Sequence, residues 1–503
     1  MNKKCAIIDL GSNSLRMIIM KVYEDGSYKM IDQAKEMVRL SEGMGEEKTL
    51  KKYPIERTLN TLKIFKKLLD INEVKDVFCV ATAAVRLAKN KDYFLKRVKD
   101  ETNFELNVLS GDKEAYYDFL GVVNTIDEDN YVMIDIGGGS TEIAHIENRR
   151  IKNSYSFSFG AVNLTEKFYD ESLKDIDIKK AQRYIKQEFD KIKWIKQLKD
   201  LPVIGLGGTI RTVAKVDKKR IDFPLENLHN YRLTRENMVE VFNIIKDTKV
   251  KKRKKISGVS KKRGDIILAG LTPLKTLLEY INGEKIIISG NGLREGVFFE
   301  KFLLKDSVII KDVLDYSLKN IIKIYDVNKK HGNHVKKLAL EIFDQTVEIH
   351  KFNKQHRKLL EVASKLHDIG LFIDYYYHQK HGFYLLLNSR LYGLTNKEKI
   401  LCAYLVAMHR EKSFKHSWKN YKMIINKKEY KLIRKLSLFL KIAEKLDRSG
   451  YGNIEEIFCS YDNETVNIIL KAQKGTELEI AAASRISKKF YKRYKKKLIF
   501  KSY

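Results

Sequence analysis

The chain has 503 residues, 44% of them apolar, with 97 Lys and Arg against 65 Asp and Glu, a formal net charge of +32. At about 150 residues per domain this length suggests about three domains, and the apolar fraction excludes a disordered chain. Such a charge favours polyanionic partners: nucleic acid, phosphate polymers, nucleotides or an acidic membrane surface. The cysteines (Cys5, Cys79, Cys402, Cys459) are scattered without a CxxC pair. That pattern excludes a zinc ribbon or disulfide framework and fits a reducing, cytoplasmic compartment. The apolar run after Met1-Asn2-Lys3-Lys4 is too short for a signal peptide, and no run approaches the ~18 apolar residues that span a bilayer.

In chain order, Cys5-Ala6-Ile7-Ile8 predicts a buried strand and Leu15 to Val22 another. Helical periodicity runs from about Ile55 to Leu69, Val77 to Val80 predicts a strand, and Val85 begins a helix. A second unit opens at Tyr131-Val132-Met133-Ile134 and repeats this alternation through Val203-Ile204 and Ile286 to Ile288. Alternating strand and helix predicts an α/β class with a partly parallel sheet. From about Asp306 long amphipathic helices dominate, with Val335, Leu338, Ala339 and Ile342 on one face, and histidines concentrate. The expected domains are 1–122, 123–305 and 306–503.

The sequence contains an internal echo. Ile7-Ile8-Asp9-Leu10-Gly11-Ser12-Asn13-Ser14 resembles Met133-Ile134-Asp135-Ile136-Gly137-Gly138-Gly139-Ser140-Thr141. Each is an apolar strand, then Asp-apolar-Gly, then small residues, then a second strand. Two related α/β domains facing each other, each offering a turn to a shared cleft, would account for it. Turns of this composition let backbone N–H groups converge on an anion. Asp9 and Asp135 at the strand ends would repel a phosphate unless a divalent cation lay between, so the pair points to phosphate plus Mg²⁺. A strand follows each turn, which excludes a Walker loop and a Rossmann fingerprint. Gly205-Leu206-Gly207-Gly208-Thr209 opens an apparent helix, and Ser289 to Gly296 follows a strand. Either serves as an anion site or as tight strand–helix packing.

These motifs resemble the exopolyphosphatase / guanosine pentaphosphate phosphohydrolase family of the actin-like ATPase superfamily. The match comprises DLGSNSLRM from Asp9, ATAAVRLAKN at 81–90, SGDKEA at 110–115, DIGGGSTE at 135–142, GLGGT at 205–209 and GLREG at 292–296, in the family's order. The resemblance implies two actin-like (ribonuclease H-like) α/β domains and removal of a terminal phosphoryl group from inorganic polyphosphate, guanosine pentaphosphate, or both. It makes Glu114 the catalytic carboxylate that activates water. It makes Asp9, Asp135 and Glu142 the metal-facing carboxylates for Mg²⁺ or Mn²⁺. Ser12, Asn13, Ser14, Gly138, Gly139, Ser140, Thr141, Gly207, Gly208 and Thr209 would bind phosphate, with Arg16 and Arg86 gripping phosphoryl oxygens. A homodimer is also implied, with no specific nucleic acid and no membrane as partner. Lys113 stands where the family usually has an acidic residue, a change expected to alter metal preference or polymer contacts.

The third domain carries His331, His367-Asp368 and Asp447 on separate helices. This H…HD…D order resembles the HD phosphohydrolases, which implies a mainly α-helical HD-like domain and a candidate second divalent metal on those four residues. His334 competes for the first position, and His378, His381 and His409 are candidates to complete another. The chain has His378-Gln379 where longer relatives often carry two adjacent histidines. The runs Lys251 to Lys255 and Lys261 to Arg263, and the Lys-rich segment Lys488 to Lys497, would steer a polyphosphate or form solvated faces. Phe490, Tyr491 and Tyr494 in that segment have the spacing of a helix packed on its domain.

Overall fold

A computed structural model describes residues 2–170, 172–305, 307–410 and 417–502. Asp306, where the third domain was placed to begin, lies outside the described residues. The chain forms two compact units, one of residues 1–222 with 226–313 and one of 223–225 with 314–503.

The first unit holds two sheets of matching design. In the first, β1 (Lys3–Leu10), β2 (Leu15–Val22), β3 (Tyr28–Glu36), β4 (Asp76–Ala81) and β5 (Leu106–Val108) lie in the order 3-2-1-4-5. The second contains β6 (Tyr131–Ile136), β7 (Thr141–Glu147) and β8 (Arg150–Phe157). A short pair, β9 (Tyr169–Asp170) and β10 (Asp175–Ile176), stands apart, and β11 (Val203–Leu206), β12 (Tyr231–Thr234) and β13 (Lys285–Ile288) complete the sheet in the order 8-7-6-11-13-12. In both, an antiparallel three-stranded meander continues into a parallel crossover. These are the two actin-like α/β domains that the sequence implied.

β1 is buried on both faces, which explains its unbroken apolar run. Ala6, Ile8 and Leu10 enter one core. Cys5 and Ile7 enter another, shared with Tyr131 and Met133 of β6. The side-chain period of two therefore points Asp9 and Asp135 to the same shared side. Between the sheets, helix Gly111–Val123 and helix Leu293–Phe298 contribute Tyr117, Leu120, Val297 and Phe298 to that core. Their backbones meet closely. A Cβ on Gly121 would collide with Gly292 O, and one on Gly296 with Tyr117 O.

The second unit is mainly helical and includes the helices Lys329–Gln345, Lys354–Leu366, Asn396–Met408 and Lys427–Leu446. They surround one core that includes Val335, Leu338, Ala339 and Ile342, the face read from the sequence. The sequence did not reveal its three-stranded sheet of β14 (Ile454–Tyr461), β15 (Thr465–Ala472) and β16 (Lys497–Ser502). Helix Ser487–Tyr494 buries Phe490, and Tyr494 packs on the same core, whereas Tyr491 is exposed. The four cysteines are unpaired, with Cys5, Cys79 and Cys402 buried. Among the described residues no helix is long and apolar enough to cross a membrane.

Candidate active site

The two turns are built alike. Gly11 N–H donates to Ser14 O at 3.1 Å, and Gly137 N–H donates to Ser140 O at 3.0 Å. They face each other so closely that a Cβ on Gly138 would lie 3.1 Å from the Cβ of Ser12. The carbonyls of Ser12 and Asn13 accept from Ser41 and Arg39 N–H, which ties this turn to the segment after β3. Helix Gly207–Arg220 begins at the third Gly-rich segment. There Gly207 takes φ +84°, and a side chain would run into Asp135 Oδ1.

The strand registers set the charges. Asp9 stands opposite Arg16, while Asp135 stands opposite Glu142. Directly opposed side chains lie about 5 Å apart, so the first pair is favourable and the second is not. Glu114, in the first turn of a helix capped by Ser110, and Asp118 one turn on complete the acidic group. Burial raises the proton affinity of all five carboxyls. Glu114 lies well above its usual range from burial and then Glu142, and Glu142 is pushed up to about 7 by burial and then Asp135. Asp9, Asp118 and Asp135 also lie high from burial.

This arrangement fits a divalent cation. Asp118 Oδ2 and Asp135 Oδ1 are buried without a hydrogen-bond partner, and both residues line the cleft. Oxygen donors of this kind suit Mg²⁺. Asp9 lines the same cavity, whereas Glu142 lies beneath it and accepts from Ser156 Oγ at 2.8 Å. In metal-free protein the folded state holds protons on these carboxyls that the unfolded chain releases at about pH 4. Their contribution to stability is full below that pH and is lost as pH rises through the raised folded values. Chelator-treated protein is therefore expected to lose about 3 °C or more in Tm between about pH 5 and pH 8, recovered by Mg²⁺. Scanning calorimetry checks this, and a Tm flat in pH or indifferent to Mg²⁺ would count against the buried cation site.

Of the residues singled out in the sequence, Ser12, Asn13, Ser14, Arg16, Gly138, Ser140, Gly207 and Gly208 line the cleft. Gly139 lines a neighbouring cavity, while Thr141 and Thr209 are buried. Arg86 sits on the catalytic candidate. Its NH1 donates to Glu114 Oε2 at 3.0 Å and to Leu109 O at 2.8 Å. Lys113 turns away, reaching Glu300 at 3.3 Å and the rings of Tyr116 and Tyr117.

The sequence reading missed Asp118, Arg211, Arg263 and Arg294, all of which line the cleft. Asp118 follows Glu114 at helical spacing, and Arg294 stands inside the quoted GLREG. Arg263 hid in a basic run. Gly208 leaves it room, since a Cβ there would lie 2.5 Å from the guanidinium. In the other basic run Arg253 is fully buried and paired with Asp175, so neither run is simply a solvated face. Burial and then Arg16 lower Arg211 to about 9 and Arg263 to about 10.

The fold and this cleft define a hydrolase of phosphoric anhydrides. The chain belongs to the Ppx/GppA phosphatase family: residues 18–305 match that family, and residues 313–483 match its domain III. It is 36% identical over 308 residues to the bifunctional 3-dehydroquinate synthase/phosphatase of Fusobacterium nucleatum, an alignment covering 59% of this chain but only 46% of that protein. It is 28% identical over 474 residues to a guanosine-5'-triphosphate,3'-diphosphate pyrophosphatase of Aeromonas salmonicida, covering 92% of each. The crystal structure of a family member from Aquifex aeolicus matches at a TM-score of 0.52 and 30% identity, over 61% of this chain and all of that one.

Proposed function

We propose that this chain is an exopolyphosphatase that releases terminal orthophosphate from inorganic polyphosphate. The observation that carries this reading is the separation of charge along the cleft. Next to the carboxylates opens a cavity of about 620 Å³ that shares Arg16, Arg211, Arg263 and Arg294 with the site and adds Lys35 and Lys215. Among the described residues its lining holds no carboxylate. Burial and then Arg16 lower Lys35 to about 7, a sign of how closely the cations crowd. A polyanion gains from such a track, while the carboxylate end stops the chain, so it is held by one end.

Asp9, Asp118 and Asp135 would hold the cation, Mg²⁺ or Mn²⁺, with Glu142 beneath. When bound, the cation neutralises charge on the transferring phosphoryl oxygens. The arginines bind the chain, and the turn amides orient its terminal phosphate. Arg86 fixes the Glu114 carboxylate, which takes a proton from the attacking water. The water oxygen bonds to the terminal phosphorus, the P–O bond to the next phosphate breaks, and the shortened chain carries the bridging oxygen away.

A second reading is guanosine pentaphosphate 5'-phosphohydrolase. The name of the Aeromonas relative favours it, as does a cavity of about 600 Å³ beside Gly138, with Met44, Leu87, Phe159 and Tyr184, that suits a base. Initial phosphate release with Mg²⁺ from long-chain polyphosphate and from guanosine pentaphosphate decides between them. We expect faster release from the polymer, with strong salt dependence. A preference for the nucleotide would establish the second reading, and release from neither would sink both. We place the protein in the cytoplasm, as its unpaired cysteines suit, and propose the homodimer that the resemblance implies. The HD-like character of the second unit is likewise a proposal, supported by its histidines.

A further inference from the structure

The segment between β13 and helix Leu293–Phe298 lines the cleft with Ser289, Gly290, Asn291 and Gly292. Its composition suggests a backbone anion site, but the structure leaves no amide for one. Ser289 N–H donates to Gly205 O at 2.9 Å, and Gly290 N–H to His229 Nδ1 at 3.2 Å. Asn291 N–H donates to Ser289 Oγ at 3.2 Å, and Gly292 N–H to Glu295 Oε2 at 3.0 Å. All four are occupied inside the protein. The donor that remains is a side chain. Asn291 is 8% exposed, and its Nδ2 is buried without a hydrogen-bond partner. A buried N–H that donates to nothing is costly, and native structures keep few of them.

Two side chains hold Asn291 in place. Ser289 Oγ accepts from Asn291 N–H and donates to Asn291 O, so both backbone groups of that residue are gripped. His229 holds the residue before it. Its ring is buried, with Nε2 3.1 Å from Thr125 O. A carbonyl oxygen only accepts, so Nε2 carries the proton. A backbone N–H only donates, so Nδ1 offers Gly290 its lone pair. The two contacts together demand one neutral tautomer. Gly290 permits the approach, since a Cβ there would lie 3.1 Å from the Cβ of His229. Thr125 lies just beyond helix Gly111–Val123, which carries Glu114 and Asp118. One ring therefore ties the loop that presents Asn291 to the helix that presents the carboxyls.

We propose that Asn291 Nδ2 donates to a phosphoryl oxygen of the substrate and that His229 is the positioning residue that keeps it there. An ionised phosphoryl oxygen only accepts, which is what a buried donor without a partner requires. Asp118 offers the complement. A Cβ on Gly292 would lie 2.8 Å from Asp118 Oδ1, and Asp118 Oδ2 is the buried acceptor without a partner. An orphan acceptor and an orphan donor on neighbouring elements suit a cation and the oxyanion it carries. The amide adds a hydrogen bond where a further cation would compete with Arg16, Arg211, Arg263 and Arg294.

The test is orthophosphate binding to the full chain with Mg²⁺ by isothermal titration calorimetry, beside the Tm of ligand-free protein. Asn291→Leu is expected to weaken binding about tenfold or more, the share of a hydrogen bond to a charged acceptor. Its Tm should hold or rise, because Nδ2 bonds to nothing in the protein. His229→Leu is expected to weaken binding likewise. His229→Asn should restore most of it, since its Oδ1 can accept from Gly290 N–H in place of Nδ1. Both variants lose the contact to Thr125, so the rescue isolates the one to Gly290. Unchanged affinity in Asn291→Leu, a loss of affinity matched by a fall in Tm, or a wild type that binds no orthophosphate would overturn the proposal. Equal loss in both His229 variants would overturn the part given to His229. The choice of ligand rests on the phosphohydrolase reading, but binding is measured without turnover. A wild type that binds orthophosphate and hydrolyses neither polyphosphate nor guanosine pentaphosphate would sink that reading alone.

Discussion

Glu114→Gln is expected to lower the rate of phosphate release by about 10²–10⁴-fold, the usual contribution of a general base, with KM little changed. The amide is nearly isosteric, and its oxygen can still accept from Arg86, 3.0 Å from the carboxylate in the native chain. It cannot take a proton. Glu114 is buried among like charges, so removing its carboxylate should also raise the Tm of metal-free protein. A slower, more stable variant would separate a catalytic group from a structural one. An unchanged rate would reduce Glu114 to a partner that merely holds Arg86.

Gly296→Ala is expected to destabilise the first unit by about 3 kcal/mol, near the upper end for overpacking. The added Cβ has no space, because Tyr117 O occupies it and backbone cannot swing aside as a flexible side chain would. The helix Gly111–Val123 must therefore shift, and it carries both Glu114 and Asp118. A displacement near 1 Å costs about 10²-fold in rate. Thermal melts should fall by about 6 °C, with activity loss exceeding what unfolding explains at the assay temperature. If Tm and rate are both unaffected, the crossing is looser than described.

The sequence revealed the paired turns because they repeat one local pattern, and a repeat survives without any knowledge of packing. Buried strands such as Leu15–Val22 were legible from unbroken apolar runs. β3 and β8 were not, because half-exposed strands mix polar and apolar residues too freely to stand out. The same limit hid β14 to β16. Asp118 was within reach, four residues after Glu114. Arg211 and Arg263 were not, because only the folded path brings a helix start and a Lys-rich loop to the same cavity. In the second unit His331, His367, Asp368 and Asp447 were grouped from the sequence, with His378, His381 and His409 as further candidates. The convergence of His331, His367, His378 and His409 on a single Asp368 comes from helix ends spread along the chain from His331 to His409, beyond any local spacing rule.

The scattered thiols have a practical consequence. Cys5 and Cys79 lie in neighbouring strands of the first unit, Cys402 and Cys459 in the second. Burial pushes Cys5, Cys79 and Cys459 up to about 12, and Cys402 higher than its ordinary value. The buried Cys5, Cys79 and Cys402 are then slow to alkylate in the native chain, and each becomes reactive only when its surroundings open. The protein carries two built-in clocks. Peptide-resolved alkylation over time would read the opening rate of one unit against the other, without a dye, a tag or a substitution.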